Sequence, residues 1–294
     1  MLLTLGFRYG AVDLLGSESL PHVLVLGSPL AADAAVQQRL ADHVEQGHSL
    51  LLLGSLPTTE LDGTPCTVLA DSLGVAILGE VRDRPGWLTS VTSRWGWATE
   101  RRVGRVQTYD APEAEIILAE ATSGRPCGLF VTRGSGHAVV LGCDYGADLE
   151  LFRTALERLG VRPGLVHDVI PGLIATTTCS ADGSRLLHAI NVSGSAITTA
   201  FAVDGEPLFA GTAITVPARS GVALPIGVVI AGSRLTATAE IESLWHTRVR
   251  LSTANCPSSQ ARAWVDGVEV SVRDDVVDLT GLNAAGLGQR DEPV

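Results

Sequence analysis

The chain has no lysine: all 21 basic residues are arginine, set against 32 acidic ones, for a formal net charge of −11. Proteins that hold nucleic acid do so by neutralising phosphates, so this balance argues against a nucleic-acid partner. It also excludes the GxxxxGK[ST] phosphate loop, which needs the lysine. With abundant Ala, Gly, Val and Leu, the arginine bias points to the coding habits of a GC-rich bacterial genome. Cysteine is sparse. The five thiols (Cys66, Cys127, Cys143, Cys179 and Cys256) are odd in number, scattered and never in a CxxC pair. Neither a zinc site nor a disulfide framework is indicated, no metal or cofactor is expected, and buried reduced thiols are the expectation. Seven histidines include no HxH or HxxxH pair, and residues such as His137 and His188 are expected to be structural or surface groups. No apolar run approaches the roughly 18 residues of a membrane span. The N-terminus lacks the basic region of a signal peptide, so a cytoplasmic bacterial protein is expected.

What is present is a core. At 294 residues, 46% hydrophobic and 18% charged, the chain can fill two or three domains of ordinary size. "HVLVLGSPL" (22–30) is a short Val/Leu run of the kind found in strands covered on both faces. "AADAAVQQRLADHVEQG" (31–47) follows with helical spacing: Ala32, Val36, Leu40 and Val44 form a stripe flanked by Ala35 and His43. Asp33 stands near its first turn and Gly47 is placed to close it. "SLLLLGSLP" (49–57) is the next buried strand, which makes a βαβ unit. From Gly79 to Gly142 β-type runs alternate with turn dipeptides, and "DLELFRTALERLG" (148–160) is a further amphipathic helix with Gly160 at its end. Beyond Pro163-Gly164 no long helix is indicated. Short strands with turn signals every 8–12 residues predict antiparallel sandwiches, and the tail "TGLNAAGLGQRDEPV" carries little core.

The Gly54-Ser55 turn after "SLLLL" has the outline of an active site. A nucleophile elbow reads G-x-S-x-G, whereas here Gly54 directly precedes Ser55 and Leu56-Pro57 follows. Proline at 57 also lacks the N–H that an oxyanion hole would use. The catalytic reading therefore fails in favour of a plain strand-end turn. Nothing marks a carboxylate pair for glycoside hydrolysis. Aromatics are scarce, at 4% of residues. Trp95 and Trp97 in "RWGW", with Trp245 and Trp264, are the candidates for stacking on a sugar, although a hairpin whose aromatics pack on the domain is favoured for "RWGW".

"LADHVEQGHSLLLLGSLPTTELDGTPCTVLADSLGV" resembles the helix–strand–loop segment of the glutamine-amidotransferase-like domain behind the catalytic barrel of bacterial β-galactosidases, glycoside hydrolase families 35 and 42. "GRPCGLFVTRGSGHAVVLGCDYGADLELFRTALERLGVRPG" resembles the end of that domain. "DGSRLLHAINVSG" with "VPARSGVALPIGV" resembles the small β domain that comes next. The resemblance covers about residues 1–230. It implies an α/β then all-β chain: a flavodoxin-like (class I glutamine-amidotransferase-like) domain over 1–163, a small β-sandwich domain over 164–231, and a further β module over 232–294. In such enzymes the catalytic pair is two glutamates of a (β/α)8 barrel, the acid/base typically preceded by Asn. A barrel needs about 250 residues, and none of Asn191, Asn255 and Asn283 precedes Glu here. No catalytic residue is carried over.

On this reading "MLLTLGF" is the end of a first helix and "RYGAVDLL" the second strand, so the chain starts inside a domain whose first, central strand is left out. The function implied is the non-catalytic structural and oligomerisation portion of a β-galactosidase-like hydrolase, which would be no enzyme by itself. Its implied partners are a barrel segment, upstream or in trans, and further copies of itself. An independent module that binds a galactoside is the alternative, and an amidotransferase-type hydrolase is a third.

Overall fold

The computed structural model describes residues 1–16, 18–27, 30–86, 88–96, 99–146, 148–252, 254, 256 and 260–279. Contacts divide the chain into two units, Gly10–Arg162 on one hand and Met1–Tyr9 with the chain from Pro163 onward on the other. The expectations for Trp97, Asn255, Asn283 and the C-terminal tail fall outside the described residues.

In the first unit the elements are β1 (Val23–Gly27), α1 (Ala34–Glu45), β2 (Ser49–Leu53), α2 (Val68–Ser72), β3 (Ala76–Arg82), β4 (Ser90–Ser93), β5 (Glu100–Arg102), β6 (Arg105–Asp110), β7 (Glu115–Glu120), β8 (Pro126–Arg133), β9 (Gly136–Leu141) and α3 (Leu149–Arg158). One sheet runs β1-β2-β9-β8-β7-β4-β5, and β3 pairs with β6. β1, β2 and β9 are parallel, and the remaining neighbours are antiparallel. The βαβ unit read from the sequence is present, with Val23 opposite Ser49 and Gly27 opposite Leu53. β2 is buried at four consecutive positions, as a strand covered on both faces must be. Leu50 and Leu52 join a core with Leu40, Ala41 and Val44 of α1 and Leu69 and Ala70 of α2.

The three helices α1, α2 and α3 end in the same way. Gly47, Gly74 and Gly160 take positive φ one residue beyond the cap. The next N–H reaches back five residues, from His48 to His43, Val75 to Ala70 and Val161 to Leu156. Glycine is suited to this left-handed position because it has no Cβ to clash. The helix read over 31–47 is observed at Ala34–Glu45, and that over 148–160 at Leu149–Arg158.

One local expectation is corrected, and one feature of α1 is new. "RYGAVDLL" forms no strand. The Asp13 carboxylate accepts from Leu15 N–H at 2.9 Å, and Arg39 donates to the carbonyls of Leu14 (2.6 Å), Gly16 and Glu18 (2.6 Å). At the end of this stretch the Leu14 carbonyl and the Leu15 N–H are thus taken by side chains rather than by a neighbouring strand. In α1, Gln37 is fully buried beside the apolar stripe. Its amide donates to Ala32 O at 2.8 Å and Cys66 O at 3.3 Å, and accepts from Leu69 N–H at 3.3 Å.

In the second unit, Met1–Phe7 make a single turn closed at Gly6 (φ +75°), where Phe7 N–H donates to Leu2 O at 3.0 Å. The N–H groups of Gly164 and Leu165 both donate to Gly6 O. Strands then follow as β10 (Leu165–Val166), β11 (Leu173–Cys179), β12 (Arg185–Asn191), β13 (Ile197–Thr199), β14 (Ala202–Val203), β15 (Glu206–Pro207), β16 (Ile214–Val216), β17 (Gly221–Ile226), β18 (Val228–Ile230), β19 (Ser233–Ala237), β20 (Ile241–Trp245), β21 (Arg248–Leu251), β22 (Ala263–Val265), β23 (Val268–Val270) and β24 (Val276–Asp278). All their pairings are antiparallel. One apolar cluster holds Leu173, Leu187, Phe201 and Leu224. A second lies between the sheets β18-β19-β22-β23 and β20-β21-β24. In β21, Val249 and Leu251 are buried while Arg248 and Arg250 are exposed, the period-two signature of a strand with one face on a core. Among the described residues beyond 163 there is no α-helix, so the all-β expectation for this part is met.

Candidate functional site

Ligands of open α/β sheets sit beyond the carboxyl ends of the parallel strands. In this chain that position is filled. After Leu53, Gly54 (φ +117°) turns the chain and donates its N–H to Leu141 O at 2.8 Å, at the end of neighbouring β9. Ser55 follows and is buried. Gln107 of β6 then grips the turn. Leu56 N–H donates to Gln107 Oε1 at 2.7 Å, and Gln107 Nε2 donates to Leu56 O at 3.1 Å. The Tyr109 hydroxyl donates to the same Oε1 at 2.8 Å.

The acidic loop beyond is pinned to its neighbours. Ala32 N–H donates to Thr59 O at 3.0 Å and Cys66 N–H to Thr58 O at 2.9 Å. The Asp62 carboxylate accepts from Thr64 N–H at 2.8 Å, a bond that holds its pKa below the ordinary value.

No room remains beneath the turn. A Cβ on Gly142, just past β9, would stand 2.4 Å from the Tyr109 hydroxyl and 2.8 Å from Cys127 O. Burial pushes the Tyr109 hydroxyl and the Cys127 thiol well up from their ordinary values. Burial, helped by the Asp144 carboxylate, pushes Cys143 up to about 12. A thiol attacks as its thiolate, so Cys127 and Cys143 are inert at neutral pH. Cys66 is buried as well, which agrees with the sequence expectation for these three; Cys179 is exposed and departs from it. Among the described residues, no group of three or more His, Cys, Asp or Glu side chains is arranged to hold a metal ion.

The candidate tryptophans stand on separate elements. Trp95 lies in the β4–β5 hairpin. Its Nε1 donates to Glu115 at 3.2 Å, and the Arg158 guanidinium of α3 sits 4.9 Å from its ring centre. Trp264 of β22 packs against the apolar cluster of Leu173 and Phe201, with Arg262 at 5.4 Å. Trp245 of β20 is 51% exposed, with Arg250 at 5.3 Å. Each described candidate ring thus carries an arginine within cation–π range. Trp95 belongs to the first unit, Trp245 and Trp264 to the second. Gln37 and Gln107, which organise the strand-end region, have no sequence signal of their own, since glutamine on an amphipathic helix or strand ordinarily faces solvent.

Over residues 1–106 the chain matches a family model described as GLMA-like, second domain. Its structure is similar to a β-galactosidase from Rahnella sp. R3 (TM-score 0.62, 13% identity, 76% of this chain and 35% of that one). A catalytic mutant of a GH42 β-galactosidase from G. stearothermophilus gives a TM-score of 0.61 at 13% identity, over 76% of this chain and 34% of that one. The β-galactosidase of Bacillus circulans sp. alkalophilus gives 0.51 at 17% identity, over 69% and 31%. The resemblance read from the sequence holds. The chain shares its fold with part of these β-galactosidases and spans about a third of their length. At 13–17% identity this likeness is one of fold. No curated protein matches the sequence. Among the described residues no helix is long and apolar enough to cross a membrane.

Proposed function

We propose that the chain is a non-catalytic portion of a β-galactosidase-like glycoside hydrolase, which braces and oligomerises a (β/α)8 barrel carried on another segment. On this reading the first unit is a flavodoxin-like, glutamine-amidotransferase-like domain, β1 is its free edge, and β modules over 164–231 and 232–294 follow. The cytoplasm is its compartment. The observation that carries the reading is the filled strand-end position: Gln107, Tyr109, Cys127 and Cys143 occupy the place where an α/β enzyme would hold its ligand. A domain with that position closed serves through its surface. The test is to co-express the chain with a barrel-only segment of a family 42 β-galactosidase and to follow elution by size. Co-elution in an assembly larger than either piece is expected, and separate elution of two folded pieces would count against the partner assignment.

A second reading is favoured by the half-exposed ring of Trp245 beside Arg250. If the chain contacts a galactoside directly, millimolar sugar should quench tryptophan fluorescence, and Trp245→Ala should remove the quenching. Unchanged fluorescence sinks this reading.

A further inference from the structure

Parallel pairing of β1 and β2 places Val23 opposite Ser49, so the residues just before them, His22 and His48, are neighbours at the amino end of the sheet. The Nδ1 atoms of the two imidazoles lie 3.1 Å apart and share a hydrogen bond, which a bound ion would replace. With metal–nitrogen bonds of 2.0–2.1 Å, two imidazole nitrogens on a tetrahedral zinc ion stand about 3.3 Å apart. The observed spacing lies within a few tenths of an ångström of that bite.

The rings are held in place by the fold. The turn that ends α1 joins His48 N–H to His43 O and stacks the two rings, with centres 4.8 Å apart and planes at 25°. His43 is itself buried, and its Nε2 lies 3.3 Å from Ser49 O. The stacked ring limits the rotation of the His48 imidazole. His48 and His43 also line a cavity of about 250 Å³ whose wall includes Glu18, Asp42 and Gln46 but not His22. The carboxylates lower the cost of bringing a dication there, and the cavity admits water. Arg39, in the same wall, turns its guanidinium to the carbonyls of Leu14, Gly16 and Glu18.

We propose that His22 and His48 form a two-imidazole site for a borderline divalent transition-metal ion of the zinc class, with solvent completing the coordination sphere. Imidazole is a fitting donor for such ions. Two protein ligands make this a reversible surface site and not a folding staple, and no step of catalysis is assigned to it.

The test is calorimetric titration of the full chain with zinc chloride, repeated with His22→Asn and His48→Asn. One ion per chain is expected, with affinity reduced at least tenfold by either substitution. His22 is exposed, so His22→Asn leaves the core intact and decides the matter even if His48→Asn folds poorly. A second readout is imidazole nitrogen NMR. The Nδ1 signals of His22 and His48 should move with zinc, while those of His188 and His246 stay. Zinc binding that His22→Asn leaves unchanged, or no binding at millimolar zinc, overturns the proposal.

Discussion

Gln107 is a buried amide whose three hydrogen bonds reach two residues, Leu56 and Tyr109. Gln107→Leu keeps the volume but strips partners from the Leu56 N–H and C=O and from the Tyr109 hydroxyl. Leaving such groups buried without partners costs on the order of 2–4 kcal/mol in total. Urea unfolding should show that loss, and a change below about 0.5 kcal/mol, the range of ordinary surface substitutions, would contradict it. His167 gives a pH effect. Burial holds its imidazole below the ordinary 6.5, against the opposing pull of Asp168. The unfolded chain therefore takes up the proton first. This contribution to stability is fully present above about pH 6.5 and is lost as the pH falls through the folded-state value. The ring meets Phe201 edge-on at 5.9 Å. His167→Phe should flatten the fall in melting temperature between about pH 7.5 and 5.5, and an unchanged slope would remove the assignment. Neither residue is legible in the sequence. A lone glutamine or histidine takes its meaning from groups that only the fold brings close.

At the scale of elements much more could be read. α1 and α3 announced themselves by an apolar stripe of helical period and a glycine one residue beyond the end. α2, at five residues, is too short for periodicity to mark. "RYGAVDLL" misled because the fate of its end is set by Arg39, 25 residues on, which takes the Leu14 carbonyl. The β modules were legible because half-buried strands alternate with period two whatever their partners. What could not be read was which strand lies beside which, so the meeting of His22, His43 and His48 stayed hidden. Gly47 carries a prediction here. At φ +92°, with a Cβ position 2.5 Å from Ser135 Oγ, Gly47→Ala is strained both in backbone and in space. A loss of about 1–2 kcal/mol is expected, visible as a lower thermal midpoint, and an unchanged midpoint would argue against the helix-end geometry. Gly136→Ala should be harsher, because its Cβ would fall 1.9 Å from the carbonyl oxygen of Val44.

For the whole molecule, the fold is shared with part of several β-galactosidases, while the strand-end position of the first unit is closed by its own side chains. The outline of an active site at Gly54-Ser55 becomes, in three dimensions, a sealed turn. β1 adds a further consideration. It pairs on one side only within its sheet, and Val25 is 37% exposed. Unpaired apolar strand edges promote self-association, so the isolated chain should aggregate at lower concentration than the same chain co-expressed with a barrel segment. Light scattering on the two preparations would show it, and equal behaviour would count against β1 as a surface covered in the assembly. On the proposed function, this chain performs no sugar cleavage by itself. Its most direct test is the hydrolysis of a chromogenic galactoside by purified chain, followed across a sizing column. Turnover at the buffer rate in every fraction is the result expected. Turnover that rises and falls with the protein peak would contradict the account.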